Sequence, residues 1–109
     1  MNIQINGNTK IKLVQGDCYH YVITLDEKSQ ALVSRLVLTC HAQNISEDFY
    51  YDKDSQTWIL ELQSEDTINY QVGGSTYDLT AVLKDECVKT LVHNGLFMVL
   101  EKTNKVTSW

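Results

Sequence analysis

The segment Thr57-Trp58-Ile59-Leu60-Glu61-Leu62-Gln63 carries the clearest pattern in this chain of 109 residues. Its large apolar side chains Trp58, Leu60 and Leu62 stand at every second position. Successive side chains of a β-strand point to opposite faces, so a period of two predicts a strand with one face in a core. The segment therefore predicts a half-buried β-strand.

The same alternation returns on both sides of this segment. Residues 18–25 and 76–84 each place apolar side chains at every second position. The inward positions are predicted to be Tyr19, Tyr21, Ile23 and Leu25 in the first segment, and Tyr77, Leu79, Ala81 and Leu83 in the second. Further strands are predicted at Ile3–Ile5, Lys10–Val14, Arg35–His41, Asp48–Tyr51, Cys87–Val92 and Leu96–Glu101.

Turn-forming residues separate these segments. Asn-Gly pairs suit the positive-φ positions of a tight hairpin, so Asn6-Gly7 and Asn94-Gly95 each predict a hairpin turn. Gly73-Gly74 predicts a break before the strand at 76–84. The polar stretch Asp26–Ala31 predicts a loop. Another turn is predicted at Asp52-Lys53-Asp54-Ser55.

A single helical turn is predicted, at Ser64–Tyr70. Ser64 is the expected cap, and Glu65 and Asp66 lie in the first turn, where the helix dipole favours acidic side chains. Paired carboxylates can also act as a general acid and base. Their position in a first turn explains these two without a catalytic role.

Seven or eight short strands in one chain, with no long helix, predict an all-β fold. We expect an immunoglobulin-like antiparallel β-sandwich, in which Tyr70 and Tyr77 belong to a tyrosine corner before a late strand. Residues 1–109 form a single domain in this interpretation. The core spans about residues 10–102, and residues 103–109 form a polar tail.

Charge and cysteine content narrow the possible functions. The chain has 9 Lys and Arg against 14 Asp and Glu, for a net charge of −5. The basic residues are scattered, whereas nucleic acids and anionic lipid surfaces attract dense Lys/Arg patches. We therefore expect neither a nucleic-acid nor a membrane partner. An odd count of three cysteines without a secretion signal predicts reduced thiols and cytosolic synthesis.

Cysteines and histidines lie near one another in sequence at three places: Cys18 with His20, Cys40 with His41, and Cys87 with His93. Zinc sites usually pair their ligands as C-x₂₋₄-C on tight turns, and these spacings do not fit that pattern. A Cys–His nucleophile pair would also need an orienting group and an oxyanion hole. We predict no metal site, no cofactor and no catalytic residue.

Asp48, Asp52 and Asp54 form a local acidic group. Calcium is one interpretation, but the glycine and terminal glutamate of a calcium-binding loop are missing. Acidic turn residues that accept backbone hydrogen bonds are the simpler explanation.

Four aromatic residues are the candidate protein contacts: Phe49, Tyr50, Tyr51 and Trp109. Adjacent residues of a strand face both ways, so at least one of the first three should lie outside the core. Aromatic side chains are enriched in protein interfaces. The alternative is a sugar site, for which residues 49–51 and Trp58 supply the only suitable aromatics.

Several motifs in order carry a resemblance to a known family. They are Lys12-Leu13-Val14-Gln15-Gly16-Asp17, Tyr21-Val22-Ile23-Thr24-Leu25, Trp58-Ile59-Leu60-Glu61-Leu62, Asp66-Thr67, Gly74, Tyr77-Asp78-Leu79, Lys89-Thr90-Leu91-Val92-His93-Asn94-Gly95 and Phe97-Met98-Val99. This run resembles the small immunoglobulin-like N-terminal domains of baseplate upper proteins in phages of Gram-positive bacteria.

The resemblance implies a phage or prophage structural protein that is not an enzyme. Such domains attach a fibre or tip to the virion or pack against their own copies. We therefore expect a virion component of the baseplate, tail or head fibre, with protein partners in the assembly and possible homo-oligomers. The alternative is an immunoglobulin-like binding module, such as an adhesin or a carbohydrate-binding domain.

Overall fold

The structure, a computed structural model, describes residues 5–6 and 9–102. These residues form eight strands of three or more residues and one strand of two. The strands are β1 (Ile5–Asn6), β2 (Ile11–Val14), β3 (Tyr19–Leu25), β4 (Val33–Cys40), β5 (Ile45–Asp48), β6 (Tyr50–Asp52), β7 (Thr57–Leu62), β8 (Gly73–Leu83) and β9 (Val88–Leu100). The helices are α1 (Glu27–Leu32), a 3₁₀ turn (His41–Gln43) and α2 (Ser64–Thr67).

The strands form two sheets. One has the order β1-β3-β7-β6 and the other the order β2-β9-β8-β4-β5. The first matches the A-B-E-D sheet of immunoglobulin domains, and the second contains the C, F and G strands with an added C′ strand. The predicted all-β, immunoglobulin-like sandwich is confirmed. One pairing differs, because β2 runs parallel to β9, with Ile11 opposite Phe97.

The core lies between the sheets, where the alternating positions meet. Trp58, Leu60 and Leu62 of β7 are all buried. So are the four inward positions predicted on β8, from Tyr77 to Leu83. The side-chain period of two therefore predicted the inward face of both strands correctly.

A pair of tyrosines links the two sheets across this core. The hydroxyl oxygens of Tyr21 on β3 and Tyr77 on β8 lie 3.1 Å apart. Tyr77 donates its one hydroxyl proton to the carbonyl oxygen of Thr9, so Tyr21 must donate to Tyr77. Antibody domains join the equivalent B and F strands by a disulfide. Here hydrogen bonds make the connection between these strands.

The Asn94-Gly95 hairpin prediction is wrong. Strand β9 continues through both residues and stays paired with β8. The register shifts beside Tyr77, where Asn94 adopts a φ of 56° and its N–H donates to Asp78 Oδ1 at 2.9 Å. The positive φ that favours Asn-Gly in a hairpin is used here in a bulge. The true β8–β9 turn lies at residues 84–87.

The hairpin predicted at Asn6-Gly7 does not join β1 to β2. Strand β1 pairs with β3, whereas β2 pairs with β9 in the other sheet. Residues 1–4 and 7–8 lie outside the described residues, so part of the Ile3–Ile5 strand and Gly7 itself are not described. The chain passes from one sheet to the other between these two strands.

Three further local predictions, which concern two helices and a glycine pair, are wrong. The segment predicted as a loop at Asp26–Ala31 forms α1, because the Asp26 carboxylate accepts a hydrogen bond from the Ser29 N–H at 2.7 Å and caps the helix. Gln63, rather than Ser64, precedes α2 as its cap residue. Gly73 and Gly74 do not break the chain, since they begin β8 and pair with β9.

Candidate protein-contact surface

Phe49 lies in the core, contrary to its prediction as a contact residue. The chain leaves the five-stranded sheet at Asp48 and enters the four-stranded sheet at Tyr50, so the predicted strand Asp48–Tyr51 is divided between the two sheets. Phe49 lies at this crossing, with its N–H bonded to the Leu36 carbonyl at 2.8 Å. Its ring packs edge-on against Tyr21, with centroids 5.7 Å apart. Phe49 is therefore not part of the surface.

Tyr50 lies on the outer face of the four-stranded sheet, 49% exposed. Its hydroxyl donates a hydrogen bond to Glu61 Oε1 at 2.7 Å. This bond to a carboxylate raises the pKa of Tyr50, because ionising the phenol would remove the donor and place two negative charges together. Of the three candidate contact residues that the structure describes, Tyr50 has the side chain most available to a partner.

Tyr51 points the other way, toward Trp58. The two rings are tilted by 51° with centroids 5.3 Å apart, and Tyr51 stays half-buried. The fourth candidate, Trp109, lies outside the described residues. Strand geometry thus separates three consecutive aromatics into a core residue, a surface residue and a residue at the border of the core.

An apolar row crosses the outer face of the four-stranded sheet. Val22 of β3 lies opposite Ile59 of β7, and Ile59 lies opposite Tyr50 of β6. Val22 is 46% exposed, and Ile59 is partly exposed between its two neighbours. We call these three residues the apolar row. Side chains directly opposite each other on neighbouring strands lie close enough to form one continuous surface.

The sequence placed Val22 and Ile59 on the faces opposite the predicted core positions. It gave no sign that they are neighbours, because the pairing of β3 with β7 depends on register between distant segments. The apolar row is therefore a feature that sequence analysis missed. The available signal was an apolar side chain on the outward face of each of two strands.

The cysteine and histidine side chains do not form a cluster. Cys18 and Cys87 are exposed, while Cys40 is buried with its Sγ 3.6 Å from Ser75 Oγ. His20 lies on the outer face of β3. Within the described part of the chain, no three side chains of His, Cys, Asp or Glu are grouped so that they could hold a metal ion.

His93 and Asp78 border a shallow groove on the outer face of the five-stranded sheet. The cavity measures about 520 Å³, and His41 also lines it. His93 Nδ1 lies 3.2 Å from Asp78 Oδ1. The hydrogen bond from the Asn94 N–H, followed by the contact with His93, lowers the pKa of the Asp78 carboxyl. The Asp78 carboxylate is thereby engaged in holding the β9 bulge.

The acidic group at residues 48–54 is also engaged locally. Asp48 forms a two-pronged ion pair with Arg35, with both N–O distances 2.9 Å. Asp52 accepts hydrogen bonds from the Asp54 N–H and the Ser55 hydroxyl. Asp52, the last residue of β6, thus accepts the local hydrogen bonds expected of it, whereas Asp48 belongs to the other sheet.

A scan against protein-family models finds no match, and neither does a search of curated proteins. In residues 5–6 and 9–102, no helix has the length and apolar character needed to cross a membrane.

Proposed function

We propose that this chain is a non-enzymatic structural or assembly component of a phage or prophage virion and acts through protein–protein contacts. It belongs in the baseplate, the tail or a head fibre, after synthesis in the bacterial cytoplasm. The ordered motifs that resemble baseplate upper proteins support this proposal. The observation that carries it is the apolar row Val22–Ile59–Tyr50 on an open sheet face.

Burying this row would stabilise a protein contact. Exposed apolar area that is removed from water contributes roughly 25 cal/mol per Å². Tyr50 adds an aromatic ring with a polar end, and Glu61 and His20 provide polar groups directly beside the row. An apolar centre with a polar rim is the usual composition of a protein interface.

Particle composition tests the placement in a virion. Particles induced from the source strain would be purified and analysed by mass spectrometry for peptides of this chain. We expect the chain in stoichiometric amounts with tail or capsid proteins. If purified particles lack the chain while the cells that produced them contain it, the proposal is wrong.

A pair of valine substitutions tests the surface. Val22→Lys places a charge in the apolar row, and Val88→Lys makes the same change at the 63%-exposed Val88 of the other sheet. We expect particles to incorporate wild type and Val88→Lys but to lose Val22→Lys, with both variants folded by circular dichroism. Equal incorporation of both variants would show that the apolar row is not the contact surface.

Light scattering at tens of micromolar tests the homo-oligomer. We expect wild type and Val88→Lys to self-associate, and Val22→Lys to be monomeric. A monomeric wild type would contradict the proposed self-association. The proposal would then be restricted to contacts with other virion proteins.

A further inference from the structure

A second cleft lies at one end of the sandwich, and no residue of the apolar row lines it. It is formed between α1 and the turn that joins β6 to β7, and its volume is about 390 Å³. Its lining consists of Leu25, Glu27, Gln30, Tyr51 and Gln56. Helix α1 connects β3 to β4, which is the position of the B–C loop in immunoglobulin domains. Small-molecule sites commonly measure 300–1,000 Å³, so this cleft has room for a small ligand.

An aromatic ring forms one wall. Tyr51 packs at a 51° tilt against Trp58, which is buried in the core, and keeps part of its surface exposed. The negative face of an aromatic ring attracts the weakly positive C–H groups of a sugar. Because Trp58 already supports the ring, little side-chain entropy is lost on binding.

A fixed amide stands beside this ring. Gln30 Oε1 accepts a hydrogen bond from Trp58 Nε1 at 2.7 Å. The bond orients the amide and leaves the two N–H groups of its Nε2 as donors. Among the described residues, no side chain or backbone group accepts from this nitrogen. A preorganised donor of this kind suits a hydroxyl oxygen.

Two more polar side chains complete the cleft. Gln56 lies in the β6–β7 turn with a φ of 56°, and Glu27 begins α1. Both side chains are exposed. Within residues 5–6 and 9–102, neither side chain takes part in a hydrogen bond or ion pair. Glu27 supplies a carboxylate acceptor, and Gln56 supplies both a donor and an acceptor.

We propose that this cleft binds a neutral sugar, with one ring stacked on Tyr51 and its hydroxyls bound by Gln30, Glu27 and Gln56. A sugar hydroxyl both donates and accepts, and this set of groups satisfies both roles. The Glu27 carboxylate and the net charge of −5 disfavour phosphorylated or acidic sugars. A single stacked ring with a few hydrogen bonds implies affinity in the millimolar range.

The test is a titration of the full chain, labelled with ¹⁵N, with glucose, galactose, mannose and N-acetylglucosamine, followed by NMR. We expect at least one sugar to shift the Gln30 side-chain amide, the Trp58 indole N–H and backbone amides around Gln56. If none of the four produces saturable shifts there at tens of millimolar, the proposal is overturned. Saturable shifts confined to another surface also overturn it.

Matched substitutions assign the binding to this cleft. Glu27→Gln and Gln56→Asn change side chains that are exposed, and asparagine tolerates the positive φ at position 56. We expect each to weaken binding about three- to tenfold, the effect of losing one hydrogen bond. Glu65→Gln makes the same change at an exposed acid in the first turn of α2 and should leave affinity unchanged. Equal affinity of all three variants would overturn the assignment.

The sugar site and the apolar row are independent. Val22→Lys should bind sugar like wild type, because Val22 lies on the outer face of the sheet and outside the cleft lining. If the chain proved absent from virions, the proposed sugar site would be unaffected. If no sugar bound, the proposed incorporation into particles would be unaffected.

Discussion

Tyr77 joins three parts of the molecule through one hydroxyl group. It donates to the Thr9 carbonyl, accepts from Tyr21, and is 1% exposed. Tyr77→Phe keeps the ring but removes the acceptor of a buried Tyr21 hydroxyl. An unsatisfied buried group costs about 1–3 kcal/mol, and we expect a loss of that size in the free energy of unfolding. Urea denaturation measures it.

Tyr50→Phe is the control for this experiment, since it removes a hydroxyl from an exposed tyrosine. We expect its midpoint in urea to match that of wild type. If Tyr77→Phe also matched wild type, the link between the sheets would contribute nothing to stability.

Gly95 is required by the position of the Tyr77 ring. A Cβ atom at position 95 would stand 2.6 Å from Tyr77 Cε1 and 2.8 Å from Val92 Cγ1. Neither neighbour is the end of a flexible side chain, so the core must move. We expect Gly95→Ala to lose about 1–3 kcal/mol of stability, the usual effect of overpacking. Thermal or urea denaturation would show it.

Gly74→Ala provides the comparison at another glycine of the β8–β9 pair. Its added Cβ would meet the Met98 methyl group at 3.3 Å, and that flexible end can move aside. We expect a much smaller change there. Equal losses at both positions would argue against the close approach of Gly95 to Tyr77.

Among the strands, the crossing from β5 to β6 determines which of three adjacent aromatic side chains are buried and which are exposed. Phe49 is 5% exposed and Tyr50 is 49% exposed, although they are neighbours in sequence. We expect Phe49→Ala to lose about 3–5 kcal/mol, as is typical for a buried phenylalanine. Tyr50→Ala should leave the free energy of unfolding close to wild type. Chemical denaturation of the two variants tests whether the chain crosses between the two sheets at Phe49.

The opposite order of stability would mean that residues 49–52 belong to one sheet in the other register. A one-residue slip exchanges the inner and outer faces of a strand. In that case the apolar row would lose Tyr50 and gain a different neighbour.

At the scale of the whole molecule, buried tyrosines set the alkaline limit of stability. Burial raises the pKa of Tyr70 to about 12, and burial also raises the pKa of Tyr77 and of Tyr21. Their ordinary pKa is 10.0. Unfolded tyrosines therefore lose protons first, so stability is unaffected below pH 10 and falls as pH rises toward about 12.

Denaturation at a series of alkaline pH values measures this loss, with tyrosinate absorbance as the second readout. We expect the core tyrosines to resist ionisation until the fold opens. Stability that stayed constant from pH 10 to about 12 would contradict the burial of these phenols.

Thiol reactivity reports on the packing of the whole domain. The structure exposes Cys18 and Cys87 and buries Cys40. We expect two thiols to react quickly in the native protein and all three to react after denaturation without a reductant. Mass spectrometry assigns the modified positions. Rapid native modification of Cys40, or a single thiol after denaturation, would contradict this arrangement.

The inward face of the main strands and the sandwich class follow from the pattern of residues along the chain. Alternation alone predicts Trp58 and Tyr77 as core residues, and both are buried. This succeeds because the side-chain period of a strand is a local property. A half-buried strand therefore shows its core face in its own residues.

Local sequence patterns led to wrong predictions where one residue preference suits two different conformations. Asn94-Gly95 favours positive φ, which serves a hairpin and a bulge equally well. The long pairing of β8 with β9 selected the bulge, because many ladder hydrogen bonds outweigh one turn preference. Asp26 likewise favours turns and helix caps, and the structure uses it as a cap.

Which surface residues are neighbours depends on the folding of the whole chain. Val22, Ile59 and Tyr50 come from three strands, and Gln30, Tyr51 and Gln56 come from α1, β6 and the turn that follows it. Each set depends on pairing register and on the passage of the chain between sheets. Those features follow from the packing of the whole core, and no local run of residues contains them.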